Sequence, residues 1–447
     1  MNARYQLKRF ADVAGARKTV KELSARERLP REQIAADRQL RLDELARRAI
    51  DGSPFWRERL TPAMRSDGGL DLAAVPTLTK AEMMERWDDA VTDRRLRRDE
   101  VLEHLDGLDH DALWLGEYRA MTTSGSSGLK GLFVYDRPAW QGLMSQFFRY
   151  NDYVGLRPSL PRRTRVAAIG GGAPTHMTQR VAATAGLGVH KVLRLAATMP
   201  LPQLVAALDE FQPDFLHAYP SVACLLADEQ LRGGLHIAPG GVSTSSELRT
   251  EETAERIERA WGVRPFDLFG STEGLWGCEC VEHSGMHLFD DMCIVENLGD
   301  RLLVTNLFNH AQPLIRFELG DVMAFTDEPC HCGRNLTRVR SVEGRVDDVL
   351  ELPGTNGSPV LIHPIQFGVV TADRDVREFQ VVGSGGRVTL RLVLRADACA
   401  ADATERVRRR VRERLTAAGA ASPDVEVDLL DELERSPAGK LPMVIAG

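Results

Sequence analysis

The spacing of apolar residues along the chain predicts a helical segment followed by alternating strands and helices. From about Arg17 to Leu60, apolar residues recur at helical intervals, and the pattern stops at the break over 52–54, Gly-Ser-Pro. Beyond Leu70, strand-like runs such as RVAAIGGG and DFLHAYPS alternate with helical stretches such as LPQLVAALDEFQ. This alternation is typical of an α/β fold in which the strands are largely parallel.

The pattern changes twice in the second half of the chain. After about Leu288, short strands with tight turns predict a β-rich subdomain over 288–346. From Asp347 onward, strand, helix and strand recur, which predicts a small α+β domain. A chain of 447 residues exceeds what one hydrophobic core usually organises. We therefore expect an N-terminal domain over 1–346, opened by a helical leader over 1–60, and a small C-terminal lid domain over 347–447.

Composition and charge narrow the class of protein. A hydrophobic fraction of 43% and a charged fraction of 27% are typical of a folded globular protein. The formal net charge of −7 gives no general attraction for nucleic acid or anionic lipid. No apolar run reaches the roughly 18 residues of a membrane-spanning helix, and the N terminus lacks a secretory signal. We expect a cytoplasmic enzyme with no nucleic-acid or membrane partner, and the sequence leaves its oligomeric state open, a homodimer included.

A loop rich in hydroxyl groups and glycines follows a predicted strand. The segment TTSGSSGLKG, over 122–131, offers hydroxyl and backbone N–H groups that can surround phosphate oxygens, and its glycines permit close approach. The spacing is not that of a Walker loop, because only two residues separate Gly125 from Gly128 and no Ser or Thr follows Lys130. A polar surface turn is the alternative interpretation.

A second hydroxyl-containing turn follows a later strand. In DLFGSTEG, over 267–274, Thr272 could hold an α-phosphate and Glu273 could bind the Mg²⁺ that neutralises a triphosphate. The motif also resembles the nucleophile elbow of hydrolases, but its central residue is Thr and no triad partner is apparent. We therefore favour nucleotide binding over hydrolysis.

Three more polar motifs follow in order. RFELGD, over 316–321, ends a strand with an acid able to accept hydrogen bonds from ribose hydroxyls. GRVDD, over 344–348, places an arginine before two acids where the composition changes. SPAGK, over 436–440, puts a lone lysine on a Pro/Gly turn near the chain end, where a solvated lysine is the alternative interpretation.

Together the five motifs resemble those of the adenylate-forming superfamily, which includes acyl-CoA synthetases, firefly luciferase and the adenylation domains of peptide synthetases. Within it, the chain is most similar to the phenylacetate-CoA ligase family. The likeness extends from about Arg31 to the end and includes SPFWRERL, LAAVPTLTKAEM, STSSEL, PLIRFELGD, and CHCGR followed by GRVDDVL. The resemblance implies ATP-dependent activation of a small carboxylic acid, expected to be aromatic, as an acyl-AMP, with release of pyrophosphate and transfer to CoA.

The resemblance also implies a nucleotide site. The β- and γ-phosphates would contact the loop residues Ser124, Gly125, Ser126, Ser127, Gly128 and Lys130. The adenine would lie among Ser245, Ser246, Glu247, Asp267, Leu268 and Phe269. Thr272 would hold the α-phosphate, and Glu273 would bind Mg²⁺. Asp321 would bind the ribose with the help of Arg345.

The same resemblance assigns the reacting end of the site and the hinge. Lys440 would stabilise the charge on the carboxylate and the α-phosphate as they join. Asp347 would be the hinge between the two domains. Candidates for the acyl pocket, each of which could equally be a core residue, are Tyr135, His217, Tyr219, Gly270 and Trp276.

Two close pairs of cysteines predict a metal site. A C-x-C turn over 278–280 precedes His283 and His287, and a second C-x-C turn spans 330–332. Thiolates and a histidine from two such turns complete a tetrahedral zinc site. The resemblance selects Cys280, His287, Cys330 and Cys332, and leaves Cys278, His283 and His331 as spare donors. A site without an open position implies structural zinc, and reduced cysteines without metal are the alternative.

The stretch after GRVDD departs from the family pattern. It reads VLELPGTNGSPVLIHPIQF, with an extra polar turn over Pro353–Pro359. This departure leaves the acyl acceptor open between CoA, a carrier protein, and an amine or hydroxyl. A catalytically silent nucleotide-binding relative is a further alternative. The joint presence of five functional candidates argues against it, because a silent relative has no chemical reason to keep Thr272, Glu273, Asp321, Arg345 and Lys440.

Overall fold

The computed structural model describes residues 3–123, 130–157, 161–384 and 386–446. The predicted phosphate-loop residues Ser124, Gly125, Ser126, Ser127 and Gly128 lie outside the described residues. Within the described ranges, every helix is too short or too polar to cross a bilayer.

Helices form the first part of the chain, as the apolar spacing predicts. They are α1 (Ala3–Arg26), α2 (Arg31–Gly52), α3 (Pro54–Leu60), α4 (Lys80–Glu85), α5 (Trp87–Ala90) and α6 (Arg98–Asp106). The break before α3 acts as a helix start, because the Ser53 hydroxyl accepts a hydrogen bond from the Trp56 N–H at 3.1 Å. Thr79 caps α4 in the same way through the Glu82 N–H. This cap places Lys80 at the beginning of α4.

A hairpin and a long helix precede the main sheet. They are β1 (Arg119–Thr122), β2 (Leu132–Tyr135) and α7 (Arg137–Tyr153). Alternating strands and helices follow: β3 (Arg165–Gly170), α8 (Met177–Ala185), β4 (Lys191–Ala196), α9 (Leu201–Phe211), β5 (Phe215–Ala218), α10 (Pro220–Leu231), β6 (Gly241–Ser245), α11 (Glu251–Trp261) and β7 (Phe266–Gly270). The five strands pair in parallel in the order β4, β3, β5, β6, β7. The predicted α/β fold is therefore confirmed.

Antiparallel strands extend this sheet and form a second, smaller sheet. They are β8 (Trp276–Glu279), β9 (Met286–Leu288), β10 (Cys293–Asn297), β11 (Leu302–Asn306), β12 (Phe317–Leu319), β13 (Asp321–Thr326) and β14 (Arg338–Arg345). The large sheet has nine strands, because β8, β9, β14 and β13 continue it beyond β7. Strands β10, β11 and β12 form a separate sheet. The segment expected to form one β-rich subdomain is thus divided between the two sheets. Strand β14 pairs with β9 and covers a strand edge that would otherwise be unpaired.

The described residues from Leu350 onward form a two-stranded hairpin, a separate four-stranded sheet and one α-helix. The elements are β15 (Leu350–Pro353), β16 (Pro359–Ile362), β17 (Val376–Ser384), β18 (Arg387–Leu394), α12 (Ala400–Ala417), β19 (Asp424–Leu429) and β20 (Val444–Ala446). Strands β15 and β16 form the hairpin, and the four-stranded sheet has the order β19, β18, β17, β20. The extra polar turn is the tip of the β15–β16 hairpin, and the Thr355 N–H donates to the Gly419 carbonyl beyond α12. Lys440 lies between β19 and β20.

The buried apolar residues gather into separate clusters. The largest lies between the N-terminal helices, α7 and the sheets, and includes Trp56, Phe133 and Trp140. Another packs α9, α10 and α11 on the large sheet through residues such as Leu208, Leu216 and Ile257. The C-terminal cluster contains only residues from Leu350 onward. This separation agrees with a domain boundary near 347, which stays a prediction.

Candidate active site

The turn that contains Thr272 and Glu273 is held in place by buried side chains. The Tyr135 hydroxyl donates to the Thr272 carbonyl at 2.6 Å, and the Asn306 amide donates to the Glu273 carbonyl at 2.8 Å. Tyr135, expected in the acyl pocket, is fully buried. Its hydroxyl supports the backbone of the turn, so the structure gives Tyr135 a role that its position in the sequence did not reveal.

Gly274 completes this turn in a conformation that requires glycine. Its φ is +106°, and a Cβ atom there would lie 2.2 Å from the Asn306 amide nitrogen. The Gln146 side chain donates to the Gly274 carbonyl at 2.9 Å. The turn over 271–274 is therefore rigid, as a site that must hold a phosphate or metal requires.

Charged residues from distant parts of the chain converge beside this turn. Burial raises the pKa of Glu273; Lys80 and Arg345 lower it, and Asp321 raises it further. Burial also raises the pKa of Asp321, against the effects of Arg345, Lys440 and Lys80. Asp321 and Arg345 are paired residues of neighbouring strands β13 and β14. Two carboxylates and three cations thus surround one region, which suits an anionic ligand with a divalent cation.

The loop that carries Lys440 folds back on itself and closes over the large sheet. The Lys440 N–H donates to the Ser436 hydroxyl at 3.1 Å, and the Ser436 N–H donates to the Lys440 carbonyl at 2.9 Å. Gly439 has a φ of +80°, and a Cβ atom there would lie 2.8 Å from that of Ala197, just after β4. Lys440 is therefore part of a packed loop and not a solvated lysine at the chain end.

The Lys440 side chain lies beside the ring of Tyr219, which directly follows β5. Its Nζ lies 5.9 Å from the centre of the Tyr219 ring. Burial lowers the pKa of Lys440, whereas the charge of Glu247 raises it. The Tyr219 hydroxyl accepts a hydrogen bond from the Gly171 N–H at 2.7 Å, which fixes the ring at the carboxyl end of β3. Ligands of open α/β sheets bind at these carboxyl ends.

Two residues near these charged groups, Lys80 and His176, were not predicted. Lys80 begins α4, where a cation opposes the helix dipole, and this local conflict was the available signal in the sequence. His176 precedes α8; burial lowers its pKa, and Lys440 and Lys130 lower it further. A neutral imidazole therefore lies near two lysines, Lys440 and Lys130.

The predicted adenine-lining residues lie at the ends of β6 and β7. Ser245 and Leu268 are paired residues of these strands, and Phe269 follows, half-buried. Ser246 is exposed and has a φ of +71°, a backbone conformation that is uncommon for residues other than glycine. Burial raises the pKa of Asp267 to about 6, and its carboxylate accepts a hydrogen bond from the Thr244 hydroxyl at 3.3 Å.

Glu247, also predicted beside the adenine, turns its carboxylate in another direction. It accepts hydrogen bonds from Ser221 and from the Leu441 N–H, which follows Lys440. The side chain therefore faces the C-terminal part of the chain.

The remaining acyl-pocket candidates differ in their surroundings. His217 lies between two hydroxyls, with Nδ1 2.8 Å from Ser243 Oγ and Nε2 3.1 Å from Ser245 Oγ. Burial lowers the pKa of His217 to about 4, so its imidazole is neutral at pH 7. Trp276 is buried, and a Cβ atom on the exposed Gly270 would lie 3.4 Å from the Trp276 ring. Gly270 thus leaves room beside an aromatic face.

Asp347, the predicted hinge, is exposed in a single 3-10 turn between β14 and β15. Its neighbour Asp348 is partly enclosed, and burial raises the pKa of Asp348 to about 6. A short exposed turn between two sheets is a suitable place for rotation, although the role of Asp347 stays a prediction.

The four predicted zinc ligands come together in space. Cys280 Sγ lies 3.6 Å from Cys330 Sγ, and Cys332 Sγ lies 3.3 Å from His287 Nε2. All four ligand atoms lie within 4.8 Å of one another. In the part of the chain that the structure describes, this is the one group of at least three His, Cys, Asp or Glu side chains that could hold a metal ion.

The spare donors lie elsewhere or face other partners. His283 stacks on Phe266, with ring centres 4.6 Å apart, and forms an ion-pair contact with Glu279. His331 is exposed, and the buried Cys278 is not among the grouped ligands. The geometry therefore favours the ligand set that the family resemblance selected.

Comparisons with known proteins show what the chain as a whole is similar to. No family model matches the chain. The chain is 24% identical over 375 residues to phenylacetate-coenzyme A ligase of Thermus thermophilus, which covers 77% of each protein. It is 28% identical over 208 residues to phenylacetate-coenzyme A ligase of Pseudomonas putida, over 40% of this chain and 46% of that protein. The family resemblance seen in the sequence is confirmed.

The fold matches that of solved ligase structures. A 2-hydroxyisobutyryl-CoA ligase in its postadenylation state superimposes with a TM-score of 0.74 at 20% identity, over 94% of this chain and 91% of that chain. The same ligase in its thioesterification state superimposes over the same shares, with a TM-score of 0.57 at 20% identity. The present structure thus superimposes better on the first of these two structures than on the second.

Proposed function

We propose that this homologue of the phenylacetate-CoA ligases, which has the fold of the adenylate-forming enzymes, uses ATP to join a small carboxylic acid to CoA. In the first step, the carboxylate oxygen attacks the α-phosphorus and pyrophosphate leaves, which gives acyl-AMP. In the second step, the CoA thiolate attacks the acyl carbonyl and AMP leaves. The observation that carries the proposal is the proximity of Glu273, Asp321, Arg345 and Lys440, whose charges act on one another although four separate motifs supply them.

Each of these residues has chemistry that suits a part of the first step. The Lys440 ammonium would offset the negative charges of the carboxylate and the α-phosphate as they approach. The Thr272 hydroxyl would hold the α-phosphate from the rigid turn over 271–274. Asp321 would accept hydrogen bonds from the ribose hydroxyls, with Arg345 beside it.

The donor set also fits a magnesium ion bound together with ATP. Mg²⁺ is usually held by one or two carboxylates together with substrate phosphates and water. Glu273 is a buried carboxylate at the predicted phosphate-binding turn, near Lys80 and Arg345, so it is the residue that would hold the metal. Bound Mg²⁺ would neutralise charge on the triphosphate.

We further propose that the acid is aromatic. The sequence relatives are named for phenylacetate, and the exposed Gly270 leaves room beside the ring of the buried Trp276. The superimposing ligase is named for 2-hydroxyisobutyrate, so short aliphatic hydroxy acids are the competing substrate class.

A pyrophosphate-release assay tests the function and the substrate class together. Phenylacetate, benzoate and hydroxybenzoates are compared with acetate and 2-hydroxyisobutyrate, each with and without CoA. We expect pyrophosphate release that depends on an aromatic acid, and a thioester product only when CoA is present. Absence of release with every acid would refute the function. Release without any thioester would point to an amine, hydroxyl or carrier-protein acceptor.

We also propose that Cys280, His287, Cys330 and Cys332 bind a structural zinc ion. A tetrahedral site with Zn–S distances of about 2.3 Å has S–S separations of about 3.8 Å, close to the 3.6 Å between Cys280 and Cys330. Four protein ligands leave no open position, which is typical of structural sites. The ion would tie the β8–β9 hairpin to the loop over 330–332.

This loop is also attached to the N-terminal helices. The Arg28 guanidinium donates to the Cys332 carbonyl at 3.0 Å, and Arg334 pairs with Glu27 at 2.7 Å. The proposed zinc ion would therefore stabilise the contact between the end of α1 and the large sheet.

A further inference from the structure

Glu247 joins the main body of the chain to the loop that carries Lys440. One carboxylate oxygen accepts hydrogen bonds from the Leu441 N–H at 2.8 Å and from the Ser221 hydroxyl at 3.1 Å. The other oxygen accepts one from the Ser221 N–H at 3.0 Å. Ser221 is in the first turn of α10, and Leu441 directly follows Lys440. The carboxylate therefore fixes the backbone next to the lysine.

Arg435 fixes the other side of the same loop. Its guanidinium donates to the Gly439 carbonyl at 3.2 Å and to the Ser221 hydroxyl at 3.0 Å. It also pairs with Glu378 on β17. The loop over 436–440 is thus held between Glu247 and Arg435, and Ser221 contacts both. We refer to Glu247, Ser221 and Arg435 as the clasp.

A separate contact holds the C-terminal part of the chain at another place. Asp228, on α10, is 1% exposed and accepts hydrogen bonds from Arg256 on α11 and from Arg395 just after β18. Arg256 also donates to the Val376 carbonyl at the start of β17. Because this contact does not involve the clasp, loss of Glu247 should loosen the Lys440 loop while the C-terminal part stays attached.

We propose that Glu247 is a positioning residue that places Lys440 for acyl-adenylate formation and is dispensable for thioester formation. The inference rests on the proposed function, in which the lysine charge is needed where the carboxylate and the α-phosphate join. In the second step the CoA thiol attacks a preformed acyl-AMP, and no such junction forms. A displacement of about 1 Å at a reacting centre can cost about 100-fold in rate, so a loosened loop should slow only the first step.

The two half-reactions are measured separately in Glu247→Ala and Glu247→Gln. The first is acid-dependent exchange between ATP and pyrophosphate, and the second is thioester formation from supplied phenylacetyl-AMP and CoA. We expect the kcat of exchange to fall at least about tenfold in Glu247→Ala, with the KM for ATP and the thioester rate within about twofold. Glu247→Gln should be intermediate, because its amide oxygen can accept from Leu441 but its NH₂ group cannot accept from Ser221.

The matched controls are Glu426→Ala and Glu426→Gln. Glu426 is half-exposed on β19 and pairs only with Arg387 among the described ion pairs, so both rates should stay at the wild-type level. Equal losses in the two half-reactions of Glu247→Ala would indicate general damage and overturn the proposal. Unchanged exchange would overturn it as well.

Hydrogen exchange at the Leu441 amide decides the same question without any substrate. Because this N–H donates to Glu247, its exchange should become faster in Glu247→Ala and stay unchanged in Glu426→Ala. Equal exchange in wild type and Glu247→Ala would refute the positioning role. If the wild type catalyses no acid-dependent exchange with any acid, the proposed function fails, and the amide measurement still decides whether Glu247 holds the loop.

Discussion

Replacement of Tyr135 by Phe should weaken both the fold and the first catalytic step. The change removes one hydroxyl and leaves the buried ring in place. That hydroxyl donates to the Thr272 carbonyl at 2.6 Å, so the carbonyl would lose its partner beside Glu273. A buried carbonyl without a partner costs about 1–3 kcal/mol. Thr272 is only partly buried, which lets water replace some of the bond, so we expect the free energy of unfolding to fall by about 1–2 kcal/mol.

Tyr153→Phe, at the last residue of α7 and in the same buried cluster, is the matched control. Tyr153 is also buried, but its hydroxyl has no hydrogen-bond partner among the described atoms. Removal of this hydroxyl should leave the free energy of unfolding unchanged or raise it by up to about 1 kcal/mol, since an unpaired polar group is no longer buried. Both variants therefore remove one buried hydroxyl group, which has a hydrogen-bond partner in Tyr135 and none among the described atoms in Tyr153.

Urea unfolding measures the free energies, and pyrophosphate release measures the activity. We expect Tyr135→Phe to lower the kcat of acid-dependent release about tenfold, because the turn that presents Thr272 and Glu273 is less well fixed. Tyr153→Phe should keep the wild-type rate. Equal unfolding energies and equal rates in the two variants would refute the role given to the Tyr135 hydroxyl.

Three further predictions concern single positions. Gly274→Ala should lower the free energy of unfolding, measured in urea, by more than about 1 kcal/mol. The loss should exceed that of Gly233→Ala, because both glycines have positive φ but only at Gly274 would an added Cβ atom meet a close neighbour. Equal losses in the two variants would contradict this prediction. In the folded protein the pKa of His217 is about 4, below its ordinary value of 6.5, because the ring is buried in its neutral form. Below about pH 6.5 the unfolded chain binds a proton at this histidine and the folded chain does not, so the free energy of unfolding should fall as the pH falls towards 4. His217→Gln should remove up to about 3 kcal/mol of this pH dependence, and an unchanged difference in unfolding energy between pH 4.5 and pH 7 would contradict the burial argument. Cys332→Ser should lower both the zinc content and the melting temperature, whereas Cys399→Ser, at an exposed free cysteine, should change neither. If elemental analysis finds well under one zinc ion per chain in the wild-type protein, the result would count against the zinc site.

The site residues proposed from the sequence are those whose chemistry is local to a motif. A hydroxyl and a carboxylate in one turn indicate Thr272 and Glu273, and a lysine in a Pro/Gly turn indicates Lys440. Paired C-x-C turns indicate a candidate metal site. In each case the residue types and their short spacing suggest the chemistry, and the family likeness supplies the partner motifs. The structure then brings these separate motifs to the same places.

The roles that escaped prediction depend on contacts between distant segments. Tyr135 supports the Thr272 turn from 137 residues away in sequence, and Glu247 meets Leu441 across 194 residues. Neither contact has a local signature, since a tyrosine on a strand and a glutamate in a loop fit many environments. The placement of β13 and β14 was missed for the same reason. Their apolar pattern predicts strands, but it does not reveal that β14 pairs with the edge of β9.

Transfer of oxygen-18 from the carboxylic acid to AMP tests the central claim most directly. The acid that is active in the pyrophosphate assay is labelled in both carboxylate oxygens and incubated with the enzyme, ATP and CoA. If the carboxylate attacks the α-phosphorus, the bridging oxygen leaves with AMP, and mass spectrometry should find one labelled oxygen in AMP and one in the thioester. Unlabelled AMP, or label in inorganic phosphate together with ADP, would contradict activation as an acyl-adenylate.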